Sequence, residues 1–333
     1  MEFSIPTSAA FDLLGVTPAQ VVKPGNIRDF KVDWSFASWR LKPNIAIQAQ
    51  PVWELFYNRP TLEKYQKAKR WQKTLSTLDV SGGTIEDENL KRRLAVATKI
   101  TLFRSHDPLD EIYLFESLTD RYRKRYEEIV EQSKILKDSL LKTPVITATL
   151  DTRNTLIEQI QSYENEMVML EKSQKEAIIQ QANKYLKDHW NASFLDIAFG
   201  KSFSYDNVRL DSLRLTDDGT ALWVNGCVGI GRKWLISGVF RYTQFQRAFA
   251  RTTQEYFWGV SLRYGSPKFN FFVELIERTR NRPFQLNGFT IAYGGDWRFS
   301  RNVLLSYGVR TVIGTNLTLN NLIPIASLSC MMR

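Results

Sequence analysis

The chain has 333 residues, 43% of them hydrophobic and 24% charged, and no run approaches the roughly 18 uninterrupted apolar residues that a membrane-spanning helix requires. Helical spans are therefore excluded, while a membrane barrel stays open, because its strands alternate and keep the average polar. The formal net charge of +10 favours anionic partners, and two cysteines, Cys227 and Cys330, are too few for a disulfide framework.

The opening run, MEFSIPTSAAFDLLGV, has no basic segment followed by an apolar core. The expectation is an exported protein numbered from its mature end. Residues 1–27 precede the first strand and read as a lumen plug or a lid on the barrel mouth.

Residues 28–104 carry the first strands. In Phe30–Phe36, Phe30, Val32, Trp34 and Phe36 take one face, while Lys31, Asp33 and Ser35 take the other. Asn44–Phe56 sets Gln48, Gln50 and Glu54 opposite Ile45, Ile47, Trp53 and Leu55. Pro51 weakens that strand, since it cannot donate to a ladder. Residues 70–80 read as a poor strand and Arg92–Phe103 as a good one.

Residues 105–190 abandon the strand period. Phe115, Leu118, Tyr122, Tyr126, Ile129, Ser133, Leu136 and Leu140 recur at threes and fours, as do Leu150, Leu156, Ile160, Met167, Leu170, Ala177 and Tyr185. Glu, Lys, Arg and Gln fill the intervening positions, and Pro144 separates the two runs. Two long amphipathic helices in an antiparallel, coiled-coil-like hairpin are predicted. Tyr122, Tyr126, Ile129, Leu136, Ile160, Met167 and Leu170 are the candidate docking residues for a partner.

Residues 191–333 hold eight predicted strands, at 193–205, 221–231, 234–244, 256–264, 269–278, 289–299, 303–313 and 322–332. Each has the length that crosses a bilayer with tilt. In 289–299, Phe289, Ile291, Tyr293, Trp297 and Phe299 oppose Thr290, Ala292, Gly294, Asp296 and Arg298. A soluble sandwich or lipocalin-type barrel would cover its polar face densely with Lys, Glu and Thr. Here that face carries small residues and isolated charges, which suits a confined lumen. Short turns at 231–233, 265–268 and 300–302 alternate with long connections at 206–220, 245–255, 279–288 and 314–321. The fold class expected is an all-β transmembrane barrel of about twelve antiparallel strands, with ten as the alternative, and a long inserted α-helical hairpin. Eight strands follow the hairpin and the last should end in the periplasm, so the hairpin is predicted to be periplasmic.

The run Ser8, Ala9, Ala10, Phe11, Leu13, Leu14, Gly15, Val16 and Pro18 resembles the mature N-terminus of outer-membrane proteins from Bacteroidota, with Ala9 where a proline is often found. The resemblance implies an envelope location and no activity.

Chemical motifs are few. There is no CxxC, HExxH, Walker loop or GxGxxG, and GCVGIG at 226–231 reads as a strand. His106 and His189 adjoin Asp107 and Asp188 at the base of the insertion. They read as junction residues; a metal-binding pair across the hairpin base is the alternative. No metal, cofactor or catalytic residue is assigned. Lumen-lining candidates are Lys31, Asp33, Gln48, Gln50, Glu54, Lys99, Asp196, Asn225, Arg241, Arg263, Glu274, Asp296, Arg298 and Arg310. Arg209, Arg214, Arg247, Arg251, Arg278, Arg280 and Arg282 form a basic rim on the external loops, either for lipopolysaccharide phosphates or simply solvated.

The function expected is a non-enzymatic bacterial outer-membrane anchor or scaffold of an envelope complex, acting through the hairpin. A passive or gated porin-like channel for small solutes is the second reading, and a lipid-acting enzyme the third. Expected partners are membrane lipid, lipopolysaccharide and a periplasmic or outer-membrane protein, including a second copy, with no nucleic acid.

Overall fold

The computed structural model describes residues 8–15, 20, 30–37, 40–56, 63–86, 92–107, 113–145, 150–205, 214–245, 253–281, 288–300, 302–314 and 319–332. Its strands run Phe30–Ala37 (β1), Arg40–Ala49 (β2), Asp79–Glu86 (β3), Arg92–Arg104 (β4), Phe194–Tyr205 (β5), Leu215–Ile230 (β6), Trp234–Phe245 (β7), Thr253–Gly265 (β8), Phe269–Arg280 (β9), Gly288–Arg298 (β10), Val303–Gly314 (β11) and Leu319–Met332 (β12). Each pairs antiparallel with its chain neighbours, and β12 returns to β1 through the register Phe30↔Met332 to Ala37↔Ile325. The result is a closed twelve-stranded antiparallel barrel with no sheet edge.

Strand alternation sorts the residues. In β2, Asn44, Ala46 and Gln48 are buried while Ile45 and Ile47 are exposed. In β9, Asn270, Phe272, Glu274 and Ile276 point inward, with Phe269, Phe271, Val273 and Leu275 outward. The polar face is the buried one and the apolar face the exposed one, the reverse of a soluble sandwich. Water would not tolerate that continuous outer band of Ile, Leu, Val and Phe; hydrocarbon does. Aromatic pairs mark one rim of the band: Trp234–Tyr264 at 4.6 Å, Phe269–Phe271 at 4.7 Å and Trp297–Phe299 at 4.1 Å between ring centroids. Tyr242–Tyr256, at 5.4 Å, lies toward the opposite rim. Aromatic girdles of this kind belong to the two interfaces of a bilayer, and the fold is a transmembrane β-barrel.

The two mouths differ. β1 begins and β12 ends at the mouth here termed the terminal end, where turns 231–233, 266–268 and 299–302 are tight. Connections 206–214, 246–252, 281–287 and 315–318 occupy the other, the loop end. These are shorter than expected because β6, β8, β9 and β12 run further than their hydrophobic pattern.

Two expectations in the first half are corrected. The strand through 44–56 stops at Ala49, and Pro51–Phe56 is a helix, α2 (numbered after α1, Ala9–Leu14). Pro51 sits at the first helical position, where its missing N–H costs nothing. Glu54 therefore belongs to a helix and not to a barrel strand. Residues 70–80 do not form a strand either. After Glu63–Gln66 (α3), Arg70–Leu75 is a helix (α4), opened by the Lys69 N–H donating to Gln72 Oε1 at 2.8 Å. The strand begins at Asp79, and Gly82 and Gly83 within it had hidden it.

The insertion between β4 and β5 holds Tyr113–Lys142 (α5) and Leu150–Asp188 (α6). The chain divides into two units, Pro108–Tyr185 and the remainder. In the smaller unit, Arg125–Glu166 at 2.6 Å and Lys137–Glu164 at 2.9 Å bridge the helices, and Arg153 Nη1 donates to Leu140 O and Thr143 O. The helices thus run antiparallel. At about 1.5 Å per residue, the 30 residues of α5 and 39 of α6 span roughly 45 and 58 Å. No described helix is long and apolar enough to cross a membrane.

Candidate functional site

The lumen holds the helix α1, Ala9–Leu14. All six residues of α1 are buried, and the helix packs on the inner faces of β3, β4 and β5. Space for it comes from small inward residues, namely Ala46, Gly83, Ala95, Ala97, Ala198, Gly200 and Ala221. A Cβ on Gly200 would lie 2.8 Å from Leu13 Cδ2, and one on Gly83 3.3 Å from Ala10 Cβ. Phe11, Leu13, Leu14 and Trp223 complete this apolar seam, and burial of each large side chain is worth about 1.5–3 kcal/mol.

Polar contacts fix the helix along the lumen. Near the terminal end the Ser8 N–H donates to Asp33 Oδ2 and the Ala10 N–H to Ser81 Oγ, both at 3.0 Å. Toward the loop end the helix closes at Gly15, whose φ of 71° suits glycine and whose N–H returns to Phe11 O. Arg241 Nη1 donates to Asp12 O at 2.6 Å and Arg310 Nη1 to Gly15 O at 3.4 Å. Two cations thus meet the carbonyl end of the helix, the favourable end for positive charge. Beyond it, the Gln20 N–H donates to Glu274 Oε2 at 2.8 Å.

The inner wall of the terminal half is lined by ion pairs within and between neighbouring strands. Arg263 reaches Asp296 at 2.8 Å and Glu274 at 3.7 Å, lies over the Phe272 ring and donates to Asn270 Oδ1; Ser306 Oγ donates to Asp296 at 2.5 Å. Lys99 reaches Asp79 at 3.2 Å and Asp196 at 3.9 Å, with Gln50 Nε2 on the same Asp79 at 2.6 Å. Lys31 pairs with Asp33 at 2.7 Å. These charged side chains are at most 2% exposed. Charges are held out of water only when matched in this way. Gln48 and Asn225 are buried in the wall as well, while Arg298 and Arg310 are half-buried.

Other expected site residues are placed differently. Arg278 and Arg280 belong to β9 rather than to a loop, because that strand extends past residue 278, and both pair with Glu255, at 3.5 and 3.9 Å. Arg214 is exposed just before β6; Arg209, Arg247, Arg251 and Arg282 lie outside the described residues. On the hairpin, Ile129 and Ile160 are buried, Tyr122, Leu136, Met167 and Leu170 half-buried, and Tyr126 exposed. The periodic apolar positions form the helices' own seam, since an antiparallel pair buries its matched stripes first. Val130, Ile135, Leu141, Leu150, Ile157, Val168, Met169 and Ile179 are among the apolar side chains left exposed on the two helices.

The histidines do meet. The ladder pairing Arg104↔Phe194 and the Ser105 N–H bond to Ser193 O close the base of the insertion. They bring the His106 and His189 rings edge to face, 4.4 Å apart. Asp107 accepts from Tyr65 OH at 2.5 Å, and Tyr65 packs on Trp53. Among the described residues no group of three ligating side chains that could hold a metal occurs.

Asp12 and Ser81, and the fit of α1 against Ala46, Gly83, Ala97 and Gly200, were not singled out from sequence. The signal that pointed to them was the clustering of Ala and Gly on the inward face of consecutive strands.

No protein-family model and no curated protein matches this sequence. Among solved structures, the chain is similar to the CymD monoaromatic hydrocarbon channel, at 7% identity and TM-score 0.33, over 91% of this chain and 87% of that one. It is similar to the translocator domain of autotransporter NalP from Neisseria meningitidis, at 8% and 0.33, over 92% and 90%. The Pseudomonas putida toluene transporter TodX gives 8% and 0.33, over 99% and 95%. At scores and identities this low, the likeness says nothing about what this barrel does.

Proposed function

We propose that this protein is a bacterial outer-membrane barrel closed by its own N-terminal helix, serving as an anchor or scaffold in an envelope complex. The observation that carries the reading is the seating of α1 in the lumen, beside a wall lined by the Arg263 and Lys99 ion-pair clusters. A channel needs a continuous aqueous path, and a wall shaped around a helix works against one. The run resembling Bacteroidota outer-membrane proteins supplies α1 itself. The tight turns and both strand termini favour the terminal end as periplasmic and the loop end as external, so the hairpin is read as periplasmic. Val168, Met169, Ile135 and Tyr126 are its docking side chains, for a periplasmic or outer-membrane protein or a second copy. Lipopolysaccharide is the proposed external contact for the basic loops, and no catalytic role is assigned.

Planar-bilayer recording tests this directly. The intact chain is expected to give no steady single-channel steps, and deletion of residues 1–15 to open the lumen. Steady conductance from the intact chain would favour the second reading, a gated channel. That reading draws on the cationic outer half of the lumen. Pull-down from membranes with and without residues 111–190 tests the docking role: partners that persist without the hairpin end the scaffold proposal.

A further inference from the structure

The β2–β3 connection lies at the terminal mouth, and its helix α4 has no buried residue. Trp71 and Leu75, one turn apart on a single face, are both exposed, Trp71 at 62%. At the end of α2, Leu55 is 88% exposed and Phe56 is exposed beside it. A six-residue helix is too short to hold itself in water by its own hydrogen bonds, so a bare Trp–Leu face calls for a surface to bury it. The lipid-facing wall continues to that face. Thr77 Oγ1 accepts from the Thr101 N–H at 2.9 Å, which sets the end of α4 level with Leu102 and Phe103 of β4. Both are exposed, and Phe103 pairs with Leu195 on the outward side of the wall. The outward residues of β2 and β3 at this mouth are Ile47, Ala49 and Val80, none aromatic. Trp71 supplies to that sector the rim aromatic that Trp234 and Trp297 supply elsewhere.

Charge gives the same direction. Residues 51–78 carry six Lys or Arg against two Glu. Lys69 and Arg70 are exposed, and at about 100° per residue Arg70 points away from the Trp71–Leu75 face. An apolar face with Trp and Leu and a basic flank is the pattern of a helix lying in a membrane interface. Protein interfaces, by contrast, are depleted in Lys. We propose that the β2–β3 connection is a membrane foot, with Trp71 and Leu75 among acyl chains and Lys69 and Arg70 on the phosphates of anionic phospholipids. The choice of phospholipid over lipopolysaccharide rests on the reading of the terminal end as periplasmic. The scaffold reading is tested by conductance and by deletion of the hairpin, and neither involves residues 51–78, so the two proposals fail separately.

The test uses spin labels on the full chain in bilayers of phosphatidylcholine and phosphatidylglycerol. Leu75→Cys and Arg70→Cys are labelled separately in a Cys330→Ser chain, Cys227 being buried. The label at 75 should collide with oxygen more often than with a water-soluble nickel chelate, and the label at 70 the reverse. Opposite preferences five residues apart cannot arise from a misfolded barrel, and heat-modifiable gel mobility confirms the fold of each. A label at 75 that prefers nickel overturns the foot, and so does one shielded from both reagents, which would mean a protein covers it. Native mass spectrometry after detergent exchange reads the headgroup. The parent should retain phosphatidylglycerol over phosphatidylcholine, and Lys69→Gln with Arg70→Gln should weaken that retention about thirtyfold, roughly fivefold for each basic side chain. Unchanged retention overturns the anionic contact, and displacement of phosphatidylglycerol by lipid A overturns the phospholipid source.

Discussion

Gly200 and Leu13 are fitted to one another across the lumen: a Cβ on Gly200 would sit 2.8 Å from Leu13 Cδ2 and 3.1 Å from Ala97 Cβ. The barrel wall is therefore cut to the shape of the helix it contains. Gly200→Val should strain the seat of α1 by about 1–3 kcal/mol, the usual cost of overpacking. Limited trypsin digestion should then cleave the N-terminal segment faster while the barrel stays folded. Gly82 is the control, since nothing lies within 4 Å of its Cβ position; Gly82→Val should digest like the parent. Equal protection in both variants would mean that α1 is not seated against β5.

Arg263 should be the costliest single side chain to truncate. It is 1% exposed and faces two carboxylates, Asp296 and Glu274, each at most 1% exposed. Arg263→Ala leaves both buried without their cation, a loss of about 3–5 kcal/mol. The triple change Arg263→Met, Glu274→Gln and Asp296→Asn should recover most of it, because no charge is then left uncompensated. Urea midpoints of the refolded barrel measure both. A triple variant no more stable than Arg263→Ala would refute the account.

Most of the architecture was legible because a membrane barrel writes its period into long strands. β5 to β12 were readable to within a few residues, since lipid demands an apolar residue at every second position. β3 was hidden: its inward face is Asp79, Ser81, Gly83 and Ile85, and its sequence carries two adjacent glycines, of which Gly83 makes room for α1. A strand shaped by what it encloses lacks the composition of a strand. The strand expected through Glu54 was misread for the opposite reason. The alternation continued through it, but Pro51 converted the segment to helix. The interior charges were readable as inward-facing, yet their partners were not, because pairing depends on the register between strands: Lys99 stands directly across from Asp79 on β3, and Arg263 on β8 reaches Asp296 on β10. On the hairpin, periodicity identified the positions that the two helices bury against each other, Ile129 and Ile160 foremost. A stripe that repeats every three to four residues is spent first on the neighbouring helix.

Tyr65 ties the β2–β3 connection to the end of β4. Its hydroxyl donates to Asp107 Oδ2 at 2.5 Å, and its ring meets Trp53 edge-on at 5.4 Å. Tyr65→Phe keeps the ring and removes a hydrogen bond to a charged acceptor, worth about 1.5–3 kcal/mol. The 51–78 segment should then become the first site of proteolysis, with the barrel's urea midpoint little changed. Unaltered cleavage kinetics would show that the Trp53 contact alone secures the segment.

The hairpin separates cleanly into residues that build it and residues free to dock. Ile129 and Ile160 are 1% and 7% exposed, in the seam between α5 and α6. Val168 and Met169 are 66% and 68% exposed on α6. Ile129→Ala should lower the stability of the helical pair by about 2–5 kcal/mol, the range for emptying a buried aliphatic site. It should weaken partner binding only as far as the helices come apart. Val168→Asp with Met169→Asp should leave helicity and thermal melting of the full chain unchanged, because surface substitutions away from packed positions usually shift stability by no more than about 0.5 kcal/mol. It should nevertheless abolish co-purification of any protein captured through the hairpin, since a charge driven into an apolar contact is left without a partner. Circular dichroism and quantitative pull-down read the two effects separately. Retention of the captured protein by the double aspartate variant, with binding lost only in Ile129→Ala, would move the docking surface off this face of α6.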